Sequence, residues 1–204
     1  MTKQASWINE KNVKTLKESF KKAKPFSHVV IEDFLKEDKI NEIVTALEKE
    51  VFFEKNSDLF NFLQTNDFAS SKNKTLLELH RQFLSPIMKE LIESITNNKI
   101  SEKKLDMSAA IYKNTDHLLC HDDRVDKRKV AYSLYLTTLK ENQGGSLNLF
   151  SSENNKPKKI TRKITPVKNS FVIFEVTSVS FHEVEEVVGN GERIAISGWF
   201  YDGD

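Results

Sequence analysis

The sequence is organised around Leu118-Leu119-Cys120-His121-Asp122-Asp123, answered by Phe181-His182 and then by Arg193-Ile194-Ala195-Ile196-Ser197-Gly198-Trp199. His-x-Asp followed much later by a second His is the order in which two histidines and one carboxylate make a facial iron(II) site with open positions. In a strand, residues i and i+2 share a face, so a strand over 117–123 would let His121 and Asp123 converge on one ion while Asp122 points away.

Outward from this set, period two in the last strand places Arg193, Ala195, Ser197 and Trp199 on one face and Ile194, Ile196 and Phe200 on the other. The second face is core. The first, a cation with small residues and an aromatic, suits a pocket for a small carboxylate. The strand from Val130 repeats the device: Ala131, Ser133, Tyr135 and Thr137 oppose Val130, Tyr132, Leu134 and Leu136. A phenol at Tyr135 and a guanidinium at Arg193 could share one carboxylate, the guanidinium by its fork.

From Met107 the pattern predicts strands over 107–113, 117–123, 130–138, 146–150, 159–165, 170–176, 181–187 and 193–201, with turns at Gly144-Gly145 and Gly189-Asn190-Gly191. Eight short strands of this kind predict a closed or two-sheet jelly-roll barrel, a double-stranded β-helix with an N-terminal helical layer. Before it, Val13, Leu16 and Phe20 mark a helix ending ahead of Pro25, Val29 to Ile31 a short strand, and Ile40, Ile43, Val44, Leu47 and Val51 one face of a helix over 37–51. Residues 54–74 read as a mobile loop interrupted by Phe60, Phe62 and Phe68, either a lid or a connector. A helical run from Leu76 to Ile95 should kink or break at Pro86, with Ser85 placed to cap the second half. The fold class is therefore α+β, mainly β: residues 1–106 are mostly helical support and 107–204 a barrel core, in a single domain over 1–204.

Charge excludes little. Thirty-one basic and thirty acidic residues leave a net +1, so nothing global favours a polyanionic partner and no direct nucleic-acid binding is expected. No apolar run is long enough for a membrane-spanning helix. The N-terminus lacks the apolar core of a secretory signal and the single Cys120 cannot form an internal disulfide, so an intracellular setting, cytoplasmic or nuclear, is expected.

His121-x-Asp123, His182 and Arg193 resemble the iron- and 2-oxoglutarate-dependent prolyl hydroxylases, and more closely the catalytic N-terminal domain of the ribosomal prolyl hydroxylases. The resemblance extends over Pro25 to Ile31, Asn56 to Phe62, Leu118 to Asp123, Gly144 to Leu147, Phe174 to His182 and Ile196 to Phe200. It implies Fe(II) on His121, Asp123 and His182, the distal carboxylate of 2-oxoglutarate on Arg193 with Tyr135 as its hydrogen-bonding partner, and pocket positions at Tyr112 and Trp199. It further implies consumption of O2, decarboxylation of 2-oxoglutarate to succinate, ascorbate as reductant, and hydroxylation of a proline in a protein, for this family a small-subunit ribosomal protein. The eukaryotic members carry a second, non-catalytic barrel domain.

Other readings of the same residues are a 2-oxoglutarate-dependent hydroxylase of another protein or a small molecule, and a silent barrel that only binds metal. His117 and His121, four apart, would make a zinc pair on a helix, which this stretch does not resemble. His28 and His80 lack matching partners and read as surface or internally satisfied histidines. Cys120 reads as buried packing, and Lys156 to Lys163 as a solvated edge or hairpin.

Overall fold

The computed structural model describes residues 7–125 and 127–203. Its centre is one curled antiparallel sheet, and the helices lie on the convex side.

The helices follow their apolar spacing. Helix α1 (Val13–Lys22) turns Phe20 inward, and Asn12 caps it by accepting from the Thr15 amide. Strand β1 (His28–Ile31) leads to α2 (Glu37–Leu47), which buries Ile40, Ile43, Ala46 and Leu47. This helix stops a turn short of the expected 51: Val51 is 64% exposed, outside the apolar face assigned to it. Helices α3 (Lys74–Phe83) and α4 (Pro86–Thr96) are separate, with Ser85 accepting from the Met88 amide and Pro86 in the first turn, where its missing N–H costs nothing.

The expected loop over 54–74 is a hairpin instead. Strands β2 (Phe53–Ser57) and β3 (Phe60–Gln64) pair antiparallel, and a 3-10 turn over Phe68–Ser70 follows. The mixed polar and aromatic composition hid it, because an exposed strand carries no apolar stripe: every residue of β2 is exposed.

The remaining strands are β4 (Ile100–Tyr112), β5 (His117–His121), β6 (Arg128–Tyr135), β7 (Leu147–Glu153), β8 (Lys156–Ile164), β9 (Phe171–Glu175), β10 (His182–Val184) and β11 (Arg193–Asp202). The sheet order is β1-β9-β6-β11-β4-β3-β5-β10-β7-β8, with β2 hanging on β3. Strand β3 pairs with β2 along one edge and, along its other edge, with β4 at Leu63 and Gln64 and with β5 at Phe60 and Asn61, so the hairpin joins the two walls of the curl. The architecture is mainly β and of jelly-roll type, as the strand spacing predicted; the sheet is a half-barrel, and the N-terminal half holds three strands and the start of β4 as well as its helices.

Two cores lie on opposite faces of the larger wall. Val130, Tyr132, Leu134, Ile196 and Phe200 point outward and pack under the helices with Phe34, Ile40, Leu79 and Phe83. Ala131, Tyr135, Val172 and Ala195 point inward and meet Leu147, Leu149 and Ile164 from the opposite wall. Strand β8 is the outer edge, exposed from Lys156 to Lys163, as expected of a solvated edge.

Candidate metal and carboxylate site

Three side chains converge inside the curl. His121 ends β5 and His182 opens β10, directly opposite each other in the ladder. Between the pairs Leu118↔Val184 and His121↔His182, two β5 residues, Leu119 and Cys120, stand against one on β10, Glu183, which is a β-bulge. The bulge aims both Leu118 and His121 into the cavity despite their odd spacing. It also corrects one expectation: Cys120 is partly exposed rather than buried, its thiol pushed up to about 11 by burial and the nearby Glu183. His117 hydrogen-bonds the Thr115 carbonyl and does not join His121, in line with the rejected zinc pair.

Asp123 arrives by a different route from the one strand alternation suggested. Strand β5 stops at His121, and Asp123 turns back with a left-handed φ of 42°. Asp122 points away, as expected, and holds Arg124 at 2.9 Å. The Asp123 carboxylate then bridges the two imidazoles: Oδ1 lies 3.3 Å from His121 Nε2 and Oδ2 3.3 Å from His182 Nε2. Burial opposes the Asp123 charge, yet His182 and His121 hold its carboxyl well below the usual carboxylate range. For His121, burial acts downward but Asp123 outweighs it, so the imidazole is raised above its ordinary value.

The far ring nitrogens fix which lone pairs face inward. His121 Nδ1 lies 2.8 Å from the Leu119 carbonyl and His182 Nδ1 2.9 Å from that of Ser180. A carbonyl only accepts, so each Nδ1 carries a hydrogen and donates, and in the neutral ring Nε2, the atom facing Asp123, is the one free to bind a metal. Among the described residues this is the one group of three or more His, Cys, Asp or Glu side chains whose ligand atoms all lie within 4.8 Å of one another. Two imidazoles and one carboxylate fit a divalent iron with positions left for other ligands.

The cavity encloses about 120 Å³, and Phe62, Tyr112, Leu118, Phe174, Arg193 and Trp199 are among its walls. Arg193 is 3% exposed and has no acidic partner among the described residues. Its guanidinium carbon lies 5.0 Å from the Tyr112 ring centroid and 5.1 Å from that of Tyr135, a cation held between two phenols. Arg193 Nε and Tyr135 Oη are buried without a hydrogen-bond partner. Burial raises both phenols, so they stay protonated donors. A buried cation with idle donors around it calls for an anion. Trp199 sits at the other end of the β11 inner face, stacked under the Arg128 guanidinium at 3.4 Å.

Sequence reasoning missed other parts of this cavity. Gln64 and Ser108 are bonded at 2.9 Å, and Ser133 and Ser197 at 2.7 Å. Ser133 and Ser197 sat on the faces already marked as lining, whereas Ser108 lies on a strand whose faces had not been assigned and Phe62 and Gln64 come from the unforeseen hairpin. The alternation Phe60, Phe62, Gln64 was their one available signal. His28 and His80 are buried and bonded to the carbonyls of Phe26 and Leu105, in line with satisfied histidines.

A family model described as the 2OG-Fe(II) oxygenase superfamily matches residues 107–201, the stretch that holds the three converging side chains and Arg193. A prolyl 3-hydroxylase, OGFOD1, of Xenopus laevis is 39% identical over 181 residues, covering 87% of this chain and 35% of the relative. Residues 107–201 are thus a 2OG-Fe(II) oxygenase domain. A second relative of this oxygenase, named prolyl 3,4-dihydroxylase OGFOD1, from Ostreococcus tauri, is 31% identical over 195 residues, covering 87% of the chain and 38% of the relative. The oxygenase chain thus spans little more than a third of the length of these curated relatives. A solved Pseudomonas putida prolyl-4-hydroxylase shares the fold at a TM-score of 0.70 and 17% identity, covering 93% of this oxygenase and all of the other chain. No helix among the described residues is long and apolar enough to cross a membrane.

Proposed function

We propose that residues 1–204 form a single dioxygenase domain that hydroxylates a prolyl residue of a protein, using Fe(II), 2-oxoglutarate and O2. The observation that carries this reading is the buried, acid-free Arg193 in the same cavity as the His121, Asp123 and His182 cluster. Relatives named as prolyl hydroxylases supply the substrate class. A small-subunit ribosomal protein is the proposed substrate, ascorbate the reductant, and the cytoplasm or nucleus the setting.

In this reading His121, Asp123 and His182 hold the iron, and Arg193 grips the distal carboxylate of 2-oxoglutarate. Bound iron with 2-oxoglutarate supplies oxygen activation coupled to decarboxylation of the cosubstrate to succinate. The chain's own residues do the rest. The Leu119 and Ser180 carbonyls keep the hydrogen on each Nδ1, so the Nε2 atoms remain ligands. Tyr135 and Tyr112 offer hydroxyls to the carboxylate on Arg193, and burial keeps both protonated. Leu147, Phe174 and Val184 line the apolar wall and limit water. Trp199, at the far end of the same face, borders the space left for the prolyl segment. A proline has no backbone N–H, so an extended segment can present it without an unpaired donor.

The test is incubation of the chain with Fe(II), ascorbate, 2-oxoglutarate and a ribosomal decoding-loop peptide, followed by mass spectrometry. One added oxygen on the proline is expected, and none when that proline is alanine. Oxygen on both peptides, or on neither while a free amino acid is oxidised, would reject this reading in favour of another hydroxylase substrate. A silent barrel is disfavoured because the cluster and Arg193 are both present.

A further inference from the structure

The reading above leaves unexplained why a hairpin from the N-terminal half supplies an aromatic ring to the carboxylate end of the cavity. Phe62, on β3, stacks on Tyr112 with centroids 4.8 Å apart and planes 24° from parallel. The Tyr112 ring in turn borders the Arg193 guanidinium at 5.0 Å. Three side chains from three strands therefore form one tier: Phe62, Tyr112, Arg193.

Tyr112 makes no side-chain hydrogen bond among the described residues, although it is only 4% exposed. Packing alone sets its ring plane, and Phe62 covers one of its faces. The hairpin that carries Phe62 is itself fastened at several points. Asn61 Nδ2 donates to Asp116 Oδ1 at 2.6 Å, Gln64 Nε2 donates to Ser108 Oγ at 2.9 Å, and the Leu119 amide donates to the Leu59 carbonyl at 2.8 Å. Bonds on both sides of Phe62 leave its ring little freedom. A hairpin serving only to close the curl would need the backbone ladder but no ring on Tyr112.

We propose that Phe62 is a positioning residue for 2-oxoglutarate: by stacking it holds Tyr112 at the angle where the phenol and the Arg193 guanidinium meet one carboxylate. This rests on Arg193 being the cosubstrate's anchor. Phe62 touches neither iron nor substrate chemistry in this scheme and acts through Tyr112. Its loss therefore weakens cosubstrate binding and leaves the metal site intact.

The experiment measures 2-oxoglutarate binding by calorimetry to the whole chain loaded with Mn(II), with Mn(II) affinity followed by electron paramagnetic resonance and the unfolding midpoint recorded for each variant. Phe62→Leu should weaken 2-oxoglutarate about threefold to tenfold, the scale of a stacked aromatic pair. Mn(II) affinity should not change, and in turnover with iron the KM for 2-oxoglutarate should rise while kcat holds. Phe62→Tyr, which keeps the ring, should restore binding. Phe53→Ala, an exposed position on the same hairpin, should bind like the parent. Parent-like affinity in Phe62→Leu alongside weakened binding in Arg193→Lys would overturn the role of Phe62 and leave the anchor standing. Equal losses in Phe62→Leu and Phe53→Ala would also overturn it, by showing general loosening of the hairpin. Parent-like binding in Arg193→Lys would instead remove the anchor itself.

Discussion

His121 and His182 face each other across the β5–β10 ladder with ring centroids 4.2 Å apart, and Asp123 closes the triangle with one carboxylate oxygen 3.3 Å from each imidazole. Three donors on separate local geometries, a strand end, a strand start and a left-handed turn, are thus fixed by backbone rather than by one another. A metal need not build such a site, only occupy it.

Replacing His121, Asp123 or His182 by Ala should therefore abolish succinate formation while the chain stays folded. Loss of a residue that merely orients a ligand already costs about 10- to 100-fold in metal affinity, so loss of a ligand should exceed that. Metal binding by calorimetry and unfolding by circular dichroism check this. Full turnover in His182→Ala with loss in His117→Ala would show that the wrong histidines were chosen.

Arg193→Lys should weaken 2-oxoglutarate with little change in metal affinity, since an ammonium cannot reproduce the two-pronged contact. Arg193→Ala should cost roughly 3–5 kcal/mol of cosubstrate binding, the scale of stranding a buried charge without its partner. Equilibrium dialysis with labelled 2-oxoglutarate decides it; unaltered affinity in the alanine variant would contradict the assignment.

The β2–β3 hairpin should gain amide protection when a proline-containing substrate peptide binds. Strand β2 is wholly exposed and pairs on one side alone, so its amides exchange through local opening, and a peptide laid beside Phe60 would slow them. Hydrogen exchange followed by mass spectrometry, with and without peptide, reads this directly. Protection confined to the larger wall would mean that the peptide enters elsewhere.

His28 gives the stability a pH dependence of known sign. Burial lowers its folded pKa against the partly opposing hydrogen bond to Phe26, so the unfolded chain binds the proton more readily. Its contribution is complete above the unfolded value of about 6.5 and is lost as pH falls from there toward the folded value, at up to about 1.4 kcal/mol per pH unit. Urea midpoints of the metal-free chain should fall as the pH drops below about 6.5, and His28→Gln should flatten that slope. An unchanged slope in the variant would assign the effect to other groups.

Much of this was legible in the sequence because the strands that line the cavity are amphipathic. On β11 and β6 the alternation of Arg193, Ala195 and Ser197 against Ile194 and Ile196, and of Ser133 and Tyr135 against Leu134, gave the inner and outer faces, and both hold in the structure. Ser85 and Pro86 marked the helix break correctly. What stayed hidden were departures from regular period. The bulge in β5 shifts which residues face inward, so Cys120 was placed wrongly, and Asp123 reaches the site through a positive φ that composition does not announce. The β2–β3 hairpin was missed because one strand is fully exposed and the other half-buried throughout.

The isolation of Arg193 bears on how long the protein survives. A guanidinium 3% exposed and without an ion-pair partner among the described residues penalises the folded state whenever no anion sits beside it. A dicarboxylate that neutralises it returns that stability by mass action, in proportion to the logarithm of its concentration over its dissociation constant. Falling cosubstrate would then do more than slow turnover. It would raise the unfolded fraction open to proteases, so that the abundance of the protein follows the supply of a central metabolite.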